Sequence, residues 1–178
     1  MLELSADGVC LAVGVRQELH LFDVRALLAD PANSANAQAE SKLVLAEDAE
    51  IIQAAWAPAD TPAAGRIVVA TSEGALYAAR VNLGTAEVVG PVTTLSEDMV
   101  GAAAWSPDGA QLAFATDQGC VVAAVNATDG QCVASARLPE GTVADAVRWA
   151  GDEQLLLGVR REETDPDAED DEVRRRLC

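Results

Sequence analysis

Residues 105–119, Trp105-Ser106-Pro107-Asp108-Gly109-Ala110-Gln111-Leu112-Ala113-Phe114-Ala115-Thr116-Asp117-Gln118-Gly119, read as a strand end, a tight turn, a strand and a second turn. Pro107 pre-sets φ for the turn, the Asp108 side chain bonds nearby backbone amides, and Gly109 takes positive φ at little cost. The pattern recurs. Trp56-Ala57-Pro58 leads to Gly65-Arg66-Ile67-Val68-Val69-Ala70-Thr71 and then Ser72-Glu73-Gly74. Trp149-Ala150-Gly151-Asp152 leads to Gln154-Leu155-Leu156-Leu157-Gly158-Val159. Leu4-Ser5-Ala6-Asp7-Gly8 precedes Val9-Cys10-Leu11-Ala12-Val13-Gly14 without a tryptophan. The steps from Leu4 through Trp56 and Trp105 to Trp149 are 52, 49 and 44 positions. A strand-rich repeat of about 40–50 residues is the mark of a β-propeller blade.

The third repeat is the clearest. Val100 to Trp105 is expected as its innermost strand, Gln111 to Thr116 as the second, Gly119 to Asn126 as the third and Gln131 to Leu138 as the fourth. The second repeat follows the same order through Ile51 to Trp56, a Pro/Ala loop at 57–65, Arg66 to Thr71, Ala75 to Val81, and Glu87 to Leu95 with a bend at Gly90-Pro91. The first repeat begins at a Val9–Val15 and Glu18–Val24 hairpin. It continues through a helical turn at 25–28 and a polar loop to an outer strand at 42–46. The fourth has Val143 to Trp149 and Glu153 to Arg161. Ala102-Ala103-Ala104 and Ala123-Ala124 favour helix intrinsically. The neighbouring β-branched residues and turns favour strand, and pairing overrides weak propensity.

The expected fold is all-β, a partial β-propeller of about three to four four-stranded antiparallel blades that does not close. The expected blades are 1–46, 47–98, 99–140 and an incomplete 141–161. A disordered tail, acidic and then basic, follows at 162–178. A seven-bladed ring needs about 300 residues, so the chain reads as a fragment or as a half-ring completed by another chain.

The site residues expected from the pattern are structural. Trp56, Trp105 and Trp149 end the innermost strands, where a large flat side chain fills the gap between blades. Pro107, Asp108 and Gly109 build the turn. Asp145, four residues before Trp149, either ties adjacent loops by accepting amide hydrogen bonds or stands in solvent.

Composition excludes several functions. The formal charge of −17 opposes nucleic-acid binding and docking on an anionic membrane. Residues 162–172 hold eight acids and no base. The run reads as a solvated segment, or as a docking tail for a basic partner. No stretch of about 18 apolar residues occurs, so no membrane span is expected. Met1–Ser5 has no basic region, so no signal peptide is expected.

Cys10, Cys120, Cys132 and Cys178 form no Cys-x-x-Cys pair and read as free thiols of a reducing compartment. Asn126-Ala127-Thr128 matches a glycosylation acceptor but reads as a turn. No Gly-x-Gly-x-x-Gly, phosphate loop, Gly-x-Ser-x-Gly or His-Glu-x-x-His occurs. The one histidine, His20, lies in an expected strand and reads as half-buried and structural. The acids at 165–172 lack the central Gly and the terminal Glu of an EF-hand calcium loop. No catalytic residue, cofactor or metal site and no small-molecule substrate is therefore expected.

These residues resemble the WD40 family of β-propellers. Trp105-Ser106-Pro107-Asp108-Gly109 with Leu112-Ala113 matches its inner hairpin, and Phe22-Asp23-Val24 stands where its third strand often ends in Trp-Asp. The repeats lack the family's Gly-His pair. The resemblance covers residues 1–160 and implies a noncatalytic protein-interaction scaffold, with partners held by the 26–41 and 57–65 loops.

The order Phe22-Asp23-Val24-Arg25, Ala55-Trp56-Ala57-Pro58, Ser72-Glu73-Gly74, Trp105 to Gly109 and Val143 to Gly151 is similar to the N-terminal propellers of cytoplasmic-face FG nucleoporins. Those proteins dock the DEAD-box mRNA-export helicase. This narrower resemblance implies a place at the nuclear pore complex or in the cytoplasm, with the helicase or other nucleoporins as partners. It carries over no helicase-contacting residue. A generic WD40 adaptor is the alternative. The propeller of a hydrolase whose catalytic domain lies elsewhere is another, since such enzymes share Trp-Ser-Pro-Asp-Gly.

Overall fold

In the computed structural model the structure describes residues 1–30, 37–45, 49–97, 100–116, 121–126, 131–139, 142–151 and 154–161. Four antiparallel sheets follow one another along the chain. The first contains β1 (Leu2–Leu4), β2 (Cys10–Val15), β3 (Glu18–Asp23) and β4 (Ser41–Val44), paired in that order. A one-and-a-half-turn helix, α1 (Val24–Ala29), leaves β3. Asp23 caps it by accepting from the Arg25 amide at 2.9 Å.

The second sheet contains β5 (Ile51–Trp56), β6 (Arg66–Thr71) and β7 (Leu76–Asn82). Its outer edge is split into β8 (Glu87–Val88) and β9 (Thr93–Ser96), both paired with β7. The third contains β10 (Val100–Trp105), β11 (Gln111–Thr116), β12 (Val121–Asn126) and β13 (Cys132–Arg137). The fourth, among the described residues, contains β14 (Thr142–Trp149) and β15 (Leu155–Arg161). The ring is not closed, and the architecture is that of a partial β-propeller.

Turn chemistry sets each inner hairpin. Ser106 bonds both ways across its turn: its amide donates to the Gln111 carbonyl at 2.9 Å, and its hydroxyl accepts from the Gln111 amide at 2.9 Å. The Gly109 amide donates to the Ser106 carbonyl at 2.9 Å, with Gly109 at φ +69°. Ser5-Ala6-Asp7-Gly8 repeats the arrangement, with Cys10 in the place of Gln111 and Gly8 at φ +73°.

The sheets stack because both faces of the middle ones are apolar. Along β6, Ile67 and Val69 face the first sheet, where they meet Cys10, Ala12, Leu19 and Leu21. Val68 and Ala70 point the other way, to Ala103, Leu112 and Phe114. Burial on both faces explains why β6 reads as a continuous apolar run rather than an alternating one. Between the third and fourth sheets the contact narrows to Ala104, Ala113, Ala115, Ala144 and Val147. Alanines let these sheets approach closely while the three indoles fill the wider gaps.

Three observations depart from the sequence reading. The first sheet does not begin at its hairpin, because Leu2–Leu4 is its innermost strand, with Leu2 opposite Val13 and Leu4 opposite Leu11. Three residues are too few to show a period-2 pattern, and no tryptophan marks them. At the expected Gly90-Pro91 bend, where Gly90 has φ +79°, the outer strand of the second sheet is interrupted altogether instead of running from Glu87 to Leu95. β7 is also shifted by one residue from the expected Ala75–Val81, to Leu76–Asn82. The alanine runs in β10 and β12 are strand, as pairing on both sides requires.

Several readings fall on residues outside the described ones: Cys120, Cys178, residues 31–36 of the first loop, residues 127–128 of the Asn126 motif, and the acidic run at 162–172.

Candidate functional site

The seams between sheets carry a repeated device. The Trp105 indole Nε1–H donates to the Ala55 carbonyl at 3.0 Å, and the Trp149 Nε1–H donates to the Ala104 carbonyl at 3.0 Å. Ala55 and Ala104 each immediately precede the tryptophan of their own sheet. Trp56 continues the series backwards, reaching the Glu3 carbonyl at 3.4 Å. Glu3 precedes Leu4, which occupies the tryptophan position of the first sheet. Each indole thus lays its apolar body in one seam and gives its only polar group to a backbone acceptor of the preceding sheet.

A β-bulge recurs just before each tryptophan. The register shifts between Ile51 and Gln53, between Val100 and Ala103, and between Ala144 and Ala146. A bulge bends its strand and re-aims the side chains beside it. Gln53, next to the first bulge, reaches across the seam to the third sheet. Its amide nitrogen donates to the Ala103 carbonyl at 3.1 Å, and its oxygen accepts from the Ala103 amide at 3.1 Å. Composition gave no signal for Gln53, since a lone glutamine in a strand carries no motif. Asp145 is the bulged residue of β14; its side chain lies outside the described residues.

The turns dock on their neighbours. A Cβ at Gly109 would lie 2.4 Å from Thr61 Oγ1 and 2.9 Å from Thr61 Cβ, so this turn rests on the 57–65 loop. That loop is held in shape by Thr61 Oγ1 donating to the Pro58 carbonyl at 2.9 Å. Pro107 and Asp108 are exposed beside it. Asp108 accepts from the Ser106 hydroxyl at 2.6 Å and from the Ala110 amide at 2.9 Å. The Ser106 bond, with the amide behind it, holds the Asp108 carboxyl below the usual aspartate range.

The first and second sheets are also bridged outside the core. The Arg25 guanidinium donates to Asp23 Oδ2 at 3.0 Å and to the Gly84 carbonyl at 3.0 Å. His20 is half-buried, its Nε2 3.0 Å from Glu18 Oε2, while Lys42 pairs with the other Glu18 oxygen. These bonds, that from Lys42 foremost, lower the Glu18 carboxyl. Cys10 is fully buried in the first seam, and burial pushes its thiol up to about 11.

No group of three or more metal-ligating side chains occurs among the described residues. No helix among them is long and apolar enough to cross a membrane.

The two end faces are open. On the first sheet Leu2, Leu4 and Val44 are 67%, 49% and 56% exposed, and on the last sheet Leu156 is 62% exposed. On the middle strands of the second and third sheets both faces are buried, at Ile67 and Val68 and at Leu112 and Ala113.

No protein-family model matches the sequence, and no curated protein matches it. Solved structures do. The chain is similar to the β-propeller domain of Myceliophteria thermophila Cps50 (Swd1), at 16% identity and a TM-score of 0.63 over 92% of this chain and 47% of that one. It is similar to a chain of the Mitotic Checkpoint Complex, at 18% identity and a TM-score of 0.64 over 88% of this chain and 43% of that one. It is also similar to Chaetomium thermophilum Sqt1 bound to the N-terminus of the ribosomal protein L10. There the identity is 18% and the TM-score 0.59, over 84% of this chain and 39% of that one. The fold is that of a β-propeller, present here in part. The chain spans less than half the length of each of these propeller chains.

Proposed function

We propose that this chain is a noncatalytic protein-interaction scaffold. The observation that carries the reading is the seam architecture. Indole bonds, bulges and the Gln53 bridge fix successive blades against each other and leave turns and loops as the accessible surface, which is where scaffolds hold partners. Sqt1, of similar fold, is bound to the N-terminus of a ribosomal protein, which supports the same use of the fold here. The 26–41 and 57–65 loops are the proposed contact regions. The hydrogen bond from Thr61 to the Pro58 carbonyl and the seat against Gly109 make the second of these a preorganised surface.

Within this class, the sequence resemblance favours a nucleoporin-type propeller serving mRNA export, with a location at the nuclear pore or in the cytoplasm. It rests on the order of motifs ending in Trp149-Ala150-Gly151. A general propeller adaptor fits the fold equally well.

Proximity labelling by the full chain in its native cells tests both levels. Enrichment of pore and export components supports the narrow reading. A reproducible set of other proteins, lost when the 57–65 loop is replaced by a short Gly/Ser turn, supports the adaptor. A neighbour set unchanged when the 57–65 loop and, separately, the 26–41 loop are each replaced by a short Gly/Ser turn overturns loop-borne capture.

A further inference from the structure

Each sheet has two unlike faces. The face toward the preceding sheet carries the tryptophan and the residue opposite it: Trp56 with Ile67, Trp105 with Leu112, and Trp149 with Leu155. The face toward the following sheet carries the residue just before the tryptophan and its opposite, Ala55 with Val68 and Ala104 with Ala113. In the first sheet Leu4 and Leu11 hold the tryptophan-pair position. Phe22, opposite Leu11, and Leu2, opposite Val13, extend that face, and no described sheet precedes it. In the fourth sheet Arg148 and Leu156 hold the other position, with Ala146 opposite Gly158 beside them. No described sheet follows that face.

Burial marks these two open faces as halves of a seam. Val68 and Ala113 are 1% and 0% exposed, while Leu156 at the same register is 62% exposed. Trp56 is buried, while Leu4 in its position is half exposed and Leu2 more so. Ala146, Arg148 and Gly158 are exposed. Large side chains cover the inner part of the first face, and Ala146 and Gly158 leave a shallow floor on the last. The same large-on-small fit fills the third seam, where Val147 and Leu155 cluster with Ala104 and Ala113. The polar outer part of the first face is internally satisfied, since Glu18 pairs with both His20 and Lys42.

We propose that the open face of the first sheet docks on the open face of the fourth sheet of a second copy, and reciprocally, so that two copies close one ring through two identical seams. One copy covers 47% of a solved β-propeller domain of similar fold. It carries four sheets, the last as an inner hairpin among the described residues, so two copies supply eight, within the range of about four to eight blades of closed rings. The two open faces are of opposite kind and lie on one chain, so a second copy satisfies both with a single type of contact. A head-to-tail contact of this type either closes or grows into filaments, and half a ring per copy favours closure at two. Leu4 carries no donor for the Arg148 backbone. The closing seams therefore lack the indole bond of the internal ones, and the pair is reversible. A charge of −17 on each copy opposes pairing, so salt that screens this repulsion strengthens it. The pairing is independent of what the loops hold.

The test is sedimentation velocity of the full chain over a range of concentrations, at low and at high salt. The expected result is a monomer–dimer equilibrium driven toward dimer by concentration and by salt. Leu2→Asp and Leu156→Asp each weaken pairing by about tenfold or more, while Leu28→Asp, on the exposed α1, leaves it unchanged. Both substituted leucines are exposed in the single copy, and far-ultraviolet circular dichroism checks that each variant keeps its strands. An equimolar mixture of Leu2→Asp and Leu156→Asp pairs more tightly than either variant alone, because one intact seam of unlike faces forms between them. A contact between two like faces would instead leave one of the single variants fully dimeric. Either variant pairing at wild-type strength, or no rescue in the mixture, overturns the proposal. Species that grow beyond two copies overturn the closed ring. A wild-type monomer at every concentration and salt also overturns it, and leaves the two faces to blades of a different polypeptide.

Discussion

The indole of Trp105 donates to the backbone carbonyl of Ala55, the residue just before the preceding tryptophan, at 3.0 Å. One side chain thereby reports on the position of the neighbouring blade. Trp149 repeats the bond at 3.0 Å to Ala104, and Trp56 makes a longer version at 3.4 Å to Glu3. Replacement of each tryptophan by phenylalanine keeps an aromatic ring and removes the donor. A lost hydrogen bond that leaves a half-buried carbonyl unpaired costs about 1–3 kcal/mol. Urea denaturation is expected to rank Trp105→Phe and Trp149→Phe as clearly destabilised and Trp56→Phe as the mildest. Equal losses at all three would show that ring volume, and not the indole bond, sets the effect.

Gly109 and Gly8 have nearly the same backbone, φ +69° and +73°, but unlike surroundings. A Cβ at Gly8 meets nothing within 4 Å, while one at Gly109 lies 2.4 Å from Thr61 Oγ1. Gly8→Ala is therefore expected to lose about 1 kcal/mol, from the left-handed backbone alone. Gly109→Ala is expected to lose at least about twice that, because the 57–65 loop must also shift. Adding Thr61→Ala to Gly109→Ala should restore part of the difference, and thermal unfolding of the three variants measures it.

Gln53 satisfies both backbone groups of Ala103 across the seam at 3.1 Å each. Gln53→Leu leaves a donor and an acceptor without their partner and is expected to cost about 1–3 kcal/mol. Gln53→Glu keeps the acceptor and loses the donor. A protonated glutamate restores a donor, so Gln53→Glu should approach wild-type stability more closely near pH 4 than at pH 7. Chemical denaturation at the two pH values checks the sign.

Asp108 has its carboxyl lowered by the Ser106 hydroxyl and the Ala110 amide. A carboxylate that titrates lower when folded adds stability above its unfolded value, and that stability is lost as the pH falls through its folded value. Ser106→Ala is expected to raise the Asp108 titration midpoint, read from its carboxyl ¹³C shift. Asp108→Asn should flatten the acid limb of the stability curve. An unchanged midpoint in Ser106→Ala would remove the hydroxyl as the cause.

The Cys10 thiol, buried in the first seam, is pushed from 9.0 up to about 11. The folded state then holds a proton that the unfolded state releases, so this group makes stability decline as the pH rises from about 9 to 11. Thiolates are the reactive form. Cys10 is expected to resist alkylation by iodoacetamide at pH 8 in native protein and to react once urea unfolds it. Peptide mass spectrometry assigns the site.

Much of the fold was readable in the chain because it is written in local chemistry. Ser106-Pro107-Asp108-Gly109 and Ser5-Ala6-Asp7-Gly8 specify turns through groups within a few residues of each other. Strands such as Ile67–Thr71 show their burial in their composition. Leu2–Leu4 was not readable, since a three-residue strand gains its identity only from the hairpin it joins.

The candidate sites follow the same division. The spacing of Trp56, Trp105 and Trp149 marked equivalent positions, but the carbonyl that each indole would meet lies about fifty residues away and is a backbone atom with no sequence signature. Gln53 was silent for a related reason. A polar side chain's role depends on what register and stacking bring beside it. The sequence by itself determined where the chain turns and which stretches pair. The tertiary structure decided which groups face each other across the seams, because those encounters are set by sheet stacking and not by neighbouring residues.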